Sequence, residues 1–214
     1  MEKEIFEKAF IDNLNRNFQK QSRYFEVDFY VFSELESSIF EINKCLILEL
    51  YRASITLTNN VLERLLKLAL IYNEAGIDPK PVENWNSSFE KPNKKYGAIV
   101  LAESIDKCRK LGLISDDDYI FLYHTIRKMM RNGFSHADSS KILEDLPDEI
   151  TMFQGSLSNP NDTKSVNLYQ KSIPFIQAIH MDCCAKESAA KYFDYVFELI
   201  NRIDKRLIDK QKQK

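Results

Sequence analysis

The hexapeptide RNGFSH, Arg131 to His136, places a guanidinium and an imidazole five positions apart, with a primary amide, Asn132, directly after the arginine. An imidazole titrates near neutrality and so takes or gives a proton at ordinary pH. A guanidinium keeps its charge and forms charge-assisted hydrogen bonds to phosphate oxygens. Asn132 both donates and accepts, which suits it to hold His136 in one orientation. The set fits chemistry at a phosphodiester. On an unbroken α-helix Arg131 and His136 would point about 140° apart. Gly133 is where the chain can break the helix and turn both side chains toward one pocket.

The residues before the hexapeptide extend its positive character. In a continuous α-helix His124, Arg127 and Arg131 lie at i, i+3 and i+7, hence on one face, with Lys128 beside them. Such a group makes a local anion site, and His124, Arg127 and Lys128 are candidates for holding a polyanionic substrate. The helix that carries them should begin at Ser115, an N-cap followed by the carboxylates of Asp116, Asp117 and Asp118 at the positive end of the helix dipole.

The chain around this segment reads as one mostly helical domain. It has 214 residues, 44% of them hydrophobic, enough for one core, and few glycines. Met1 to about Gln21 carries an apolar stripe at Ile5, Phe6, Ala9, Phe10 and Leu14. Residues 1–32 read as an N-terminal extension. Ser33 and Glu36 form a capping-box pattern ahead of a long amphipathic helix that runs to about Tyr72 and stops at Gly76. Residues 76–96, with three prolines, read as a long loop pinned by Trp85. A helix from about Tyr96 to Lys110 stops at Gly112. Residues 149–171 read as a further loop with a short strand at EITMF, and a last long helix follows to about Lys210, with Ala189, Tyr192, Phe193, Val196, Leu199 and Ile203 on one side.

Charge, cysteines and termini narrow the classes. A net charge of −2 does not announce a general nucleic-acid binder, so a polyanion must be met by a local patch. The first residues, MEKEIF, lack a basic start and an apolar stretch, and no apolar run reaches the length of a membrane span. A cytoplasmic protein without membrane contact is expected. Cys45, Cys108, Cys183 and Cys184 form no repeated CxxC pair. His180, Cys183 and Cys184 share a helix face, yet a closed zinc site needs four ligands, so Cys183 and Cys184 read as buried thiols and no metal is expected.

Arg131, the polar Asn132 and His136 resemble the R-X4-6-H signature of the HEPN superfamily (higher eukaryote and prokaryote nucleotide-binding domains). The helix ending MRNGFSHAD resembles the ending found in many bacterial members, and NNVLERLLKLALIY looks like the family's other core helix. Within that helix Glu63 and Lys67 are similar to the Glu-X3-Lys/Arg pattern of several branches. They read either as an ordinary i, i+4 surface pair or with Glu63 reaching across the bundle to Arg131. The resemblance covers about Ile39 to Ser140 and the last helix.

The resemblance implies an all-α bundle of four to five main helices with long connecting loops. It implies a homodimer in which two copies of the motif face one cleft, and in active members that cleft cuts RNA without a metal or other cofactor. His136 would move the proton of the ribose 2′-hydroxyl or of the departing 5′-oxygen, and two copies in a dimer supply both acid and base. Arg131 would stabilise the extra charge on the phosphate, and Asn132 would orient His136 or the phosphate. The products would be a 2′,3′-cyclic phosphate and a 5′-hydroxyl. A 2′-hydroxyl is required, so no DNA is expected as substrate. Such a chain would act as a toxin, with an antitoxin protein as partner, or as a phage-defence effector. Two departures stand out: Asp138 occupies the position where toxins modified on tyrosine carry that residue, and Gly133 replaces the usual proline. The other function class is a non-catalytic HEPN-like helical dimer that binds a nucleotide, RNA or a partner protein.

Overall fold

The computed structural model describes residues 2–26, 28–135, 139–156 and 158–213. These are mostly helical: α1 (Lys3–Gln21), α2 (Glu36–Ile47), α3 (Tyr51–Ala75), α4 (Trp85–Tyr96), α5 (Leu101–Lys110), α6 (Asp116–Ile120), a wide π-helical segment (Phe121–Ser135), α7 (Ser139–Ile142) and α8 (Pro174–Lys212). One antiparallel hairpin, β1 (Glu149–Ser156) and β2 (Asn159–Tyr169), stands between α7 and α8. No described helix is long and apolar enough to cross a membrane.

Helix α3 is the axis of the bundle. It packs against α2, α4, α5, the π segment and, most extensively, α8. Its apolar positions at Ile55, Leu62, Leu65, Leu66, Ala69 and Leu70 are all buried. From α8 come Ala189, Tyr192, Phe193, Val196, Leu199 and Ile203, also buried. Gly76 (φ +84°) ends α3, and Gly112 (φ +63°) follows α5, both in conformations open to glycine.

Several expected boundaries are moved by packing. The helix expected from Ser33 to Tyr72 is two helices, broken at Leu48–Leu50, where Glu49 adopts φ 61°. Arg16 and Asn17 hold the Glu49 carboxylate, at 3.1 Å each, and so fix this left-handed residue. Neither the Ser33–Leu35 turn nor α2 has a side-chain cap, so the Ser33/Glu36 pattern does not act as a capping box. The expected loop at 76–96 is largely helix α4, running through Pro92. Pro92 and Tyr96 are buried and Phe89 is partly buried, in the face that α4 turns to α3, and the Tyr96 hydroxyl and Lys95 both donate to Glu74. That burial offsets the hydrogen bond that the proline removes. Trp85 does not pin the segment to the core: it stays half exposed and donates to the Lys80 carbonyl. In the stretch 149–171 the short strand expected at EITMF is present as part of β1, but the expected loop after it is β2, paired with it in a hairpin; Tyr24, Phe29, Val31 and Phe32 of the expected extension lie in the core.

The predicted start of the motif helix is present. Ser115 and Asp118 form a reciprocal capping box. The buried Asp118 carboxylate also accepts from Arg202 (2.7 Å) and the Tyr195 hydroxyl (3.1 Å), both on α8. Burial alone would raise its pKa; hydrogen bonds from Ser115 and Arg202 outweigh burial and hold it below the ordinary carboxylate range. Ionised Asp118 therefore stabilises the fold at neutral pH, and this contribution is lost as the pH falls below about 4. The melting temperature should drop on the acid side, and Asp118→Asn should lower it at pH 7 while making the acid drop shallower.

Candidate functional site

The candidate site lies where the π segment meets α3 and α8. In a π-helix the i→i+5 hydrogen bond adds nearly one residue to each turn, so residues seven apart no longer share a face. The expected alignment of His124, Arg127 and Arg131 is therefore replaced by three separate placements. His124 is exposed, its ring edge-on to Tyr123. Arg127 lays its guanidinium over the Tyr123 ring at 4.3 Å, and its buried Nε has no hydrogen-bond partner among the described residues. Lys128 turns to Glu144 at 2.8 Å, beyond α7. Arg131 alone of the four is seen to reach α3.

Arg131 Nε donates to Glu63 Oε1 at 2.6 Å, and both side chains are a little under one-third exposed. Glu63 thus reaches across the bundle to Arg131, and among the described residues no ion pair joins it to Lys67, which is half-buried one turn further along α3. A charge-assisted contact at this distance fixes the guanidinium in position while leaving part of it open to solvent.

The chain on either side of Arg131 and Asn132 is held by Asn59, also on α3, through one backbone carbonyl and one side-chain hydroxyl. The Asn59 amide donates to the Met130 carbonyl (3.0 Å) and to the Ser135 hydroxyl (2.9 Å). Its carbonyl oxygen accepts from the Tyr192 hydroxyl of α8 at 2.7 Å. Burial, aided by Tyr195 and Glu63, pushes the Tyr192 hydroxyl well above its usual pKa. It therefore stays protonated and donates at any ordinary pH. Asn59 is almost wholly buried, and the three contacts satisfy its amide.

The clamp covers Met130 to Ser135. Asn132 is half-buried and Gly133 buried, and the helix continues through Gly133 to Ser135, so the expected break there does not occur. His136 and Asp138 lie outside the described residues.

Asn59 and Tyr192 were not singled out as site residues from sequence. Asn59 occupies a core-facing position of α3, between Ile55 and Leu62, and a buried amide there demands partners. Tyr192 reads as an apolar core residue until its hydroxyl is asked for an acceptor.

Other reactive groups have structural partners or positions. His180 bonds to Gln170 at 2.7 Å. Cys183 is exposed and Cys184 half-buried, which corrects the expected buried pair. Burial pushes the Cys108 thiol up to about 12. Among the described residues no three His, Cys, Asp or Glu side chains gather as metal ligands would.

Comparison with protein-family models, curated proteins and solved structures finds no match to this chain.

Tyr192→Phe would leave the Asn59 carbonyl oxygen buried and unsatisfied. Urea unfolding should show a loss of about 1–3 kcal/mol with an unchanged m-value. Glu63→Gln keeps an acceptor for Arg131 in a partly solvated place and should cost less than 1 kcal/mol or so.

Proposed function

We propose that the chain is a metal-independent endoribonuclease of HEPN type, cutting RNA by attack of the ribose 2′-hydroxyl on the adjacent phosphate. The observation that carries this reading is the hold on Arg131. Glu63 fixes its guanidinium from α3 at 2.6 Å, and Asn59 holds the Met130 carbonyl before it and the Ser135 hydroxyl after it. A side chain that merely capped its own helix would need neither. Transition-state stabilisation by fixed charge depends on such preorganisation.

In this reading Arg131 binds the phosphate and stabilises the charge that builds up on it. His136 takes the 2′-hydroxyl proton, and a second His136, from a two-fold partner, gives a proton to the departing 5′-oxygen. One P–O bond forms to the 2′-oxygen as the bond to the 5′-oxygen breaks. A 2′,3′-cyclic phosphate and a 5′-hydroxyl result. Asn132 orients His136 or the phosphate. Arg127 and His124 lie upstream as further contacts for the RNA strand, whereas Lys128 must first leave Glu144. A chain with this activity would act as a toxin restrained by an antitoxin protein, or as a phage-defence effector.

The test is labelled RNA incubated with the purified protein in excess EDTA, with end-group analysis. Wild type should yield cyclic-phosphate ends, and a single 2′-deoxy substitution at the cut position should block cleavage there. Arg131→Ala and His136→Ala should each lower the rate by about 100-fold or more with unchanged circular dichroism. Absence of cleavage by folded wild type on several RNAs, or equal cleavage by the variants, would replace this reading with that of a binding module.

A further inference from the structure

Helix α1 is joined to the body by hydrogen bonds from its polar side and, near its end, by Phe18, whose ring stacks on Phe25. Asn13 donates to the Leu48 carbonyl and Asn17 to that of Ile47, the end of α2, while Arg16 pairs with Glu49. Asn43 of α2 meets the Gln21 carbonyl, so the two helices run antiparallel. The contacts with the end of α2 begin at Asn13, and every residue from Lys3 to Asp12 is exposed. Nearly three turns of α1, Lys3 to Asp12, therefore extend past the hydrogen bonds to α2 as an arm, bearing Phe6 at 60% exposure.

An apolar groove of about 480 Å³ opens at the base of this arm. Phe10, Leu14 and Phe18 form one wall; Phe25, Phe40 and Leu48 are among the residues of the other. Phe25 stacks on Phe18 and meets Phe40 edge-on. Phe6, Phe10, Leu14 and Phe18 recur at every fourth residue, so arm and groove share one continuous stripe.

We infer that a second copy of this chain fills the groove, each α1 laying its arm across the groove of the other about a two-fold axis. The chain itself carries both the knob and the hole, and a self-complementary patch closes as an isologous dimer. The helix-in-groove mode uses anchors at this spacing. Area agrees: Phe6, Phe10, Ile11, Leu14, Phe18 and Phe40 each leave 37–60% exposed. At about 200 Å² per side chain they offer on the order of 600 Å² of apolar surface, close to the ~800 Å² per partner of a stable interface once a polar rim is added. A membrane surface fits less well. Within α1, Lys3, Lys8, Arg16 and Lys20 are nearly balanced by Glu4, Glu7 and Asp12, whereas helices that lie on membranes carry a basic polar face. The inference rests on this surface alone and does not depend on the nuclease reading.

Sedimentation equilibrium of the full chain, without RNA, tests it. Wild type should be dimeric at about 10 µM. Phe6→Glu, which spoils the arm, and Phe40→Glu, which spoils the groove, should each weaken the dimer about 100-fold with unchanged circular dichroism. Phe6→Leu and Phe40→Leu should retain it. An equimolar mixture of the two Glu variants regains one intact arm-and-groove contact, and should associate more tightly than either alone. Wild type that stays monomeric to about 100 µM, a dimer indifferent to Phe6→Glu, or a mixture no tighter than its components would overturn the arrangement. Phe6→Glu decides alone where Phe40→Glu does not fold, because its side chain stands on the exposed arm.

Discussion

A single buried amide sets much of the geometry at the candidate site. Asn59 sits within α3 almost wholly buried, so each of its polar atoms must find a partner within the protein. Two elements supply them: the π segment through Met130 and Ser135, and α8 through Tyr192. Apolar contacts among these helices tolerate sliding by a fraction of a turn. Hydrogen bonds at 2.7 to 3.0 Å do not, so the amide converts loose helix packing into one register. The Glu63–Arg131 pair, one turn further along α3, inherits that register.

The segment carrying Arg131 is held at both ends by different physics. At its start the Asp118 carboxylate draws in Ser115, Tyr195 and Arg202, an ionic anchor in a buried place. At its end the anchor is the neutral Asn59 network. Between them the wide helical turn spreads the bases that an α-helix would have lined up. Arg127 goes to the Tyr123 ring, Lys128 to Glu144 and Arg131 to Glu63. Among the described contacts of these three bases, Arg131 is the one fixed by a carboxylate from another core helix, so it is preorganised where the basic cluster as a whole is not.

Local signals held at some positions and not at others, since Ser33 with Glu36 forms no cap and Gly133 does not break its helix; long-range signals were poorly legible. Ser115 with Asp118, Gly76 and Gly112 act within a few residues of themselves, and each stands where local chemistry puts it. The break at Leu48–Leu50 depends on Arg16 and Asn17, more than thirty positions away, and no local pattern announces it. Helix α4 looks like a loop because Pro92 and its many polar residues are poor helix formers, yet the packing of its Phe89, Pro92 and Tyr96 face on α3 prevails. Of the hairpin only the strand at EITMF was legible: β2 is largely polar and lacks the alternation of apolar and polar residues that marks a strand. At the site, Arg131 and the Glu63 alternative were legible as residue types at the right spacing. The π-helical turn was not, since the same side chains fit an α-helical pattern equally well.

Helix α1 shows why an amphipathic pattern alone does not say which face meets the body. Its aromatic stripe is regular, and area alone would bury it. The end of α2, however, exposes carbonyls that have no partner within their own helix. Asn13 and Asn17 satisfy two of these, and Asn17 joins Arg16 in holding the strained Glu49. Turning the stripe fully inward would withdraw those donors and leave polar backbone buried beneath aromatic rings. Hydrogen bonding therefore orients the helix, and the apolar stripe is left for whatever surface approaches from outside.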